Sequence, residues 1–590
     1  MNPKAYFRMG CFLGFLGFVG LFIEWACPPV YGQDRGRLAS MVHQFKDDPR
    51  GPWAAIRWFC PDGTVLPASS RCSSPGGIQH AVPKTTVQRL AEEEGLYWGQ
   101  ILAGTPVNDF LDADRYFSRL KQYQMERYLQ RVDDGWILRK ARYYRGAIQF
   151  EDESAWGVDF LQNVLADNRL VETQFFLLRQ AVRDIPHFVD DNRWQLIRSQ
   201  SQTIAEAFPD FMPLRIKLHG QPEPDDAARL KAFLADRKTL DPQLRSDIQA
   251  LTRALEEAYG SDGSERLRAL ARRLPKNIPS RKRLSDILEQ QNLSVGESDV
   301  NRLADRWTHL ADLLTHIRRD IRQMPTPTHR LALMDLSLAV EEVLFLETTP
   351  WRPATVGELL RKIAIVARGC AGAGYLEMWE WRQVAPLFAG IETESGVDLN
   401  ALAAIADMSR RIVEWGAAMT RAHYRATVER YETFEPQARG FVDDRIRASL
   451  LLPLGEAVSQ LQGVIAAFGT SASYMMDLSD TGRMRGLNPG YALGTLRVLD
   501  RVDVHTMFSE NSIYVMPHAP PDLKPVAGIA TVSEGNLVSH VQLLSRNLGI
   551  PNAILSEADL NSLRAYSGQT VFYAVSPGGT VIMKPAESMT

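Results

Sequence analysis

The sequence predicts a multidomain chain in which a large, mainly α-helical N-terminal region precedes a C-terminal α/β domain. Three observations carry this. The 590 residues are too many for one hydrophobic core. From about residue 87 to residue 468 apolar residues recur at spacings of three and four, the period of helices with one buried face. Beyond residue 468 short β-rich runs alternate with short helices. Composition agrees: 45% of residues are hydrophobic, 23% are charged, and Gly and Pro number 41 and 33. Such a chain is neither disordered throughout, nor collagen-like, nor a polytopic membrane protein. A formal net charge of −3 supplies no global field that gathers nucleic acid, and none is expected as a partner.

Residues 1–32 read as a secretory signal. Lys4 and Arg8 precede an uncharged, mostly apolar run from Cys11 to Ile23, and Val30-Tyr31-Gly32 offers small residues for cleavage near Gly32. As a helix that run rises only about 20 Å, short of the ~30 Å hydrocarbon core, so no permanent membrane span is expected. Lipidation at Cys27 would want small or aliphatic residues where Glu24 and Trp25 stand. The expected location is periplasmic or extracellular; without the signal the chain would be cytoplasmic or signal-anchored. Residues 33–86 are expected to be loop-rich. Within them Cys60 and Cys72 bracket a run of turn formers, and export makes a disulfide between them the expectation, against two free thiols in a cytosolic loop. Cys370, in an Ala/Gly-rich helical stretch, is expected as a small buried hydrophobe.

Residues 87–468 form the helical region. Val300, Leu303, Ala304, Trp307, Leu310, Ala311, Leu314 and Ile317 make one apolar stripe, and Thr355 with Glu358 suggests a capping box opening another helix. Breakers at residues 219–224, 260–264 and 325–327 divide the region, and no fixed repeat marks a solenoid. Asp305, His309, Asp312 and His316 share a face at metal-compatible spacing, which a solvated polar face explains equally well. The basic residues between Arg266 and Arg283 lack interleaved aromatics and read as a hydrated helix surface. Residues 469–485 form a polar linker. After it, strands are expected at Tyr491–Leu499, Ser512–Met516, Val526–Val532, Asn552–Leu555, Thr570–Val575 and Thr580–Met583, with helices at His540–Leu548 and Glu557–Tyr566.

Chemistry concentrates between Glu534 and Ile554. A strand ends in a loop containing Glu534, Gly535 and Asn536, Ser539 is a good N-cap, His540 opens a helix and Gly549 ends it. The positive end of the helix disfavours imidazolium, which keeps the ring neutral and nucleophilic, and the same exposed N–H groups favour a phosphoryl dianion on it. Gly535 lets backbone approach that group closely.

This segment, with Ser539-His540 followed by residues 544–551, resembles the mobile phosphohistidine domain of the phosphoenolpyruvate synthase and pyruvate phosphate dikinase family, also seen in glucan water dikinases. Leu487-Asn488-Pro489-Gly490 and residues 520–529 resemble it too, so the likeness covers about residues 486–584. It implies a swivelling β/β/α domain on which His540 carries a phosphoryl group between two sites. The full enzymes also possess an ATP-grasp domain. Here the chain ends at Thr590, the helical region shows no glycine-rich phosphate loop, and Val538 stands where many relatives carry Thr. The resemblance therefore implies that this chain binds no cofactor itself and that ATP and Mg arrive with a separate ATP-grasp (PEP/pyruvate-binding) partner. ATP is cytosolic while the signal directs the chain outward. That conflict sustains the alternative, a noncatalytic exported binding or scaffold protein retaining the domain's fold.

Overall fold

The computed structural model describes residues 31–112, 115–132, 150–187, 193–220, 226–237, 239–260, 263–292, 300–388, 398–468, 473–477, 484–502, 506–518, 525–532, 537–538, 542, 545–546, 548–576 and 579–589. It is mainly helical, with a mixed sheet at its C-terminal end. Of the signal expected at residues 1–32, residues 1–30 lie outside the described residues. Among those described, no helix is long and apolar enough to cross a membrane.

Residues 33–86 are not the loop-rich segment expected. Helix α1 (Tyr31–Asp47) sends Leu38, Val42 and Phe45 into the main core. A three-stranded antiparallel sheet follows, with β1 (Trp53–Phe59) between β2 (Val65–Pro67) and β3 (Ile78–Pro83), and then α2 (Thr85–Glu94). The turn formers are the bends of this sheet: Gly63 has φ +82° and the Asp62 carboxylate accepts from the Thr64 N–H at 2.9 Å. Cys60, directly after β1, is bonded to Cys72 in the β2–β3 connection, with Cα atoms 5.5 Å apart. A strand of three residues is too short to announce itself by alternation.

The helical region contains two cores. The larger runs from Leu38 to Leu461, takes in Leu537 and Val538 as well, and includes α3 (Val300–Asp320), α4 (Pro327–Thr348), α5 (Val356–Gly372), α6 (Leu399–Glu432) and α7 (Leu451–Phe468). The smaller is built by the helices between Arg193 and Gly260, around Ile197, Phe211, Leu230, Ile248, Leu251 and Leu255. On α3 the expected stripe is buried from Ala304 to Ile317, while Leu303 is exposed. Helices α3 and α5 cross closely because Gly372 has no side chain; a Cβ there would lie 2.5 Å from that of Leu314. Helices end at Gly220 and Gly260, and α4 starts at Pro327 under a Thr326 cap. Cys370 is fully buried, and burial pushes its thiol well up.

The C-terminal sheet has eight strands in the order β4-β11-β10-β6-β7-β8-β9-β5. These are β4 (Tyr474–Met475), β5 (Arg485–Asn488), β6 (Gly490–Val498), β7 (Ser512–Met516), β8 (Gly528–Thr531), β9 (Asn552–Ile554), β10 (Thr570–Val575) and β11 (Val581–Pro585). Strands β6 to β9 run parallel to their neighbours, and antiparallel partners flank them at β10 and β5. Central β7 is buried throughout, as a parallel strand covered on both faces must be. Its residues alternate between two apolar clusters, Ile513 and Val515 in one, Tyr514 and Met516 in the other. The expected linker holds β4 and the start of β5. Helix α8 (Glu557–Leu563) opens with a Ser556–Asp559 capping box.

Candidate functional site

The chain leaves the carboxyl end of β8 at Thr531 and returns as β9 at Asn552. In open sheets with parallel strands, ligands sit beyond those carboxyl ends. Of the residues singled out in this connection, Glu534, Gly535, Asn536, Ser539 and His540 lie outside the described residues. Their neighbours are placed. Gln542, Ser545 and Arg546 are helical, and the helix ends in a Schellman turn: the Ile550 N–H donates to Ser545 O at 2.8 Å and the Gly549 N–H to Arg546 O at 3.2 Å. Gly549 has φ +67° with nothing near its missing Cβ, so backbone conformation is what selects glycine here.

Buried amides fix this turn to the sheet. Asn488 Nδ2 donates to Ile550 O at 2.7 Å, and Asn552 Nδ2 donates to Gln542 Oε1 at 2.8 Å. On the other side, Leu537 and Val538 are 1% and 0% exposed and belong to the core of the helical region, not to that of the sheet. At position 538 a hydroxyl would need a partner inside that apolar core, which accounts physically for a valine. Arg485 of β5, whose guanidinium burial pulls down to about 10, donates to Ser459 O of α7 and makes a second tie.

Arg546 lies near the C-terminus of its own helix, where a basic side chain could serve the last carbonyls. Instead it faces α6, with Nη2 3.5 Å from Glu414 Oε1. That same oxygen accepts from Arg410 Nη1 at 2.6 Å, while Arg410 Nη2 also donates to Asp407 at 2.8 Å. Burial lowers the Arg546 pKa; Glu414 opposes the shift, while Arg421 and Arg410 add to it. Burial lowers that of Arg421 as well, against Asp443 and Glu414. Guanidinium groups that start above about 12 stay charged at neutral pH despite such shifts. Positions 410, 414 and 421 span an arc of only about 40° on a helix advancing ~100° per residue. Their sequence spacing was therefore a readable signal; the residue they meet was not.

The remaining candidates resolve differently. His518 is exposed. Asp305 and Asp312 pair with Arg361 and Arg368 of α5. Among the described residues no group of three or more His, Cys, Asp or Glu could hold a metal ion. In the basic stretch, Arg266 pairs with Glu342 and Arg273 with Asp335, so part of it is neutralised by α4. Compared with family models, curated proteins and solved structures, the chain matches none.

Proposed function

We propose that this chain is a phosphotransfer component whose C-terminal domain is of the swivelling β/β/α type, with His540 as transient phosphoryl acceptor. The observation that most supports the reading is where the motif falls: on the connection leaving the carboxyl end of parallel strand β8, at a helix closed by Gly549. In this reading Ser539 serves as the helix cap, Gly535 gives the phosphoryl group close access, and Glu534 and Asn536 belong to the loop; all four lie outside the described residues. The neutral ring nitrogen forms an N–P bond as the donor's O–P bond breaks, and the leaving oxygen keeps the electron pair; transfer to an acceptor oxygen reverses this. ATP and Mg belong to an ATP-grasp partner. Export is part of the proposal, supported by the disulfide, and it requires a donor outside the cytosol.

One observation favours the second reading, a noncatalytic exported scaffold: Leu537 and Val538 are buried in the core of the helical region, so two residues of the β8–β9 connection are committed to packing. Intact-mass measurement after incubation with ATP or phosphoenolpyruvate, with and without an ATP-grasp partner, separates the two. Phosphotransfer predicts the mass of one phosphoryl group, appearing only when donor and partner are both present. An unchanged mass with an authentic partner and donor leaves the scaffold.

A further inference from the structure

We propose that Arg421 and Arg546, ordered by Arg410 and Glu414, form a binding site for a tetrahedral oxyanion of the phosphate class at the seam between α6 and the C-terminal sheet domain. This goes beyond the phosphotransfer reading, because described residues alone carry it.

Two arginines at this seam leave hydrogen bonds unmade. Arg421 Nε and Nη2 and Arg546 Nη1 and Nη2 are buried, and none has a hydrogen-bond acceptor. A buried neutral donor without a partner costs about 1–3 kcal/mol and a charged one more. Four such nitrogens in one cluster are therefore a large local penalty. Asp443 and Glu414 offset the charge of Arg421, and Glu414 that of Arg546, but no carboxylate gives these four nitrogens a hydrogen bond. Glu414 Oε1 is committed to Arg410, and its 3.5 Å contact with Arg546 is a charge contact only. Asp407 holds Arg410 and Arg411.

The chemistry of the ligand follows from the donors. Two guanidinium groups arrive from different elements, one on α6 and one on the helix before β9, each presenting a planar fork. A carboxylate has two oxygens and can answer one fork. A phosphate or phosphomonoester has three or more oxygens around one centre and can answer both with charge-assisted bonds. Because the two arginines lie on opposite sides of the seam, the anion would also join the helical region to the sheet domain.

Thermal unfolding of the full chain, titrated at constant ionic strength with inorganic phosphate in one arm and glycerol 3-phosphate in the other, tests this against chloride. A rise in melting temperature with either phosphate compound is expected, saturating as one site fills. Arg421→Met keeps much of the side-chain volume and removes unpaired donors. It is expected to melt no lower than wild type without phosphate and to lose the phosphate-dependent rise. Arg546→Gln is expected to weaken binding at least tenfold, and Arg497→Gln, at an exposed position of β6, to leave it unchanged. A wild-type melting temperature indifferent to both phosphates, or equal rises in wild type and Arg546→Gln, overturns the site. His540→Asn keeps the separate questions apart, since phosphate binding should persist there even if histidine labelling is never observed.

Discussion

Glu126 and His423 push the pH response of the main core in opposite directions. Glu126 is buried, and desolvation pushes its carboxyl up to about 8, although it accepts from the Gly99 and Gln100 N–H groups at 3.0 and 3.4 Å. Its folded pKa is raised, so its contribution is most favourable below the unfolded value near 4.5 and is lost as pH rises toward 8. His423 is the reverse case: burial, then Lys121, press its ring down to about 4. The unfolded chain takes up that proton first, so stability falls as pH drops from about 6.5 through 4. Glu126→Gln should flatten the loss between pH 5 and 8 in urea midpoints and leave the acid limb standing. An alkaline slope unchanged in the variant would assign that slope to other groups.

At the scale of elements, ends are decided by one or two residues, and sequence reads them well. Thr355 caps α5 as expected, with its hydroxyl accepting from the Glu358 N–H at 3.2 Å. The reciprocal arm differs: Glu358 accepts from the Ala354 N–H at 2.8 Å, one residue before the cap. Gly549→Ala should cost about 1 kcal/mol, because alanine at positive φ is strained. Chemical denaturation followed by a probe in the sheet domain measures it, and a neutral result would mean that the turn relaxes. Gly528→Ala should cost about 1–3 kcal/mol by overpacking, since its new Cβ would lie 2.7 Å from the buried Tyr573 ring.

For the whole molecule, the division into a helical region and a C-terminal sheet domain was legible because the hydrophobic period changes from helical to strand-like after Phe468. Strand β7 was placed at Ser512–Met516 and β10 at Thr570–Val575, the bounds observed, since β-branched and aromatic runs between turns speak for themselves. The N-terminal sheet was missed because its strands are short and its turns dominate the composition. The motif around His540 lies outside the described residues. Its setting was not legible, because an Arg/Glu face on a 34-residue helix looks like a hydrated surface until another element packs on it. That packing is testable. Val538→Asp buries an unpaired carboxylate in the helical core, so it should lower the melting transition of the helical region, although the substitution lies in the sheet domain. An unchanged helical transition would show that the two are not coupled through Val538.

The central claim is that His540 carries a phosphoryl group, and the most direct measurement is radiolabel transfer to the full chain from donor and ATP-grasp partner, compared between wild type and His540→Asn. Asparagine also tolerates a helix start, so the variant should fold. The account predicts a wild-type label that survives base, disappears on mild acid treatment as a phosphoramidate must, and is absent from the variant. Equal labelling of the Asn variant, or an acid-stable label, would contradict it.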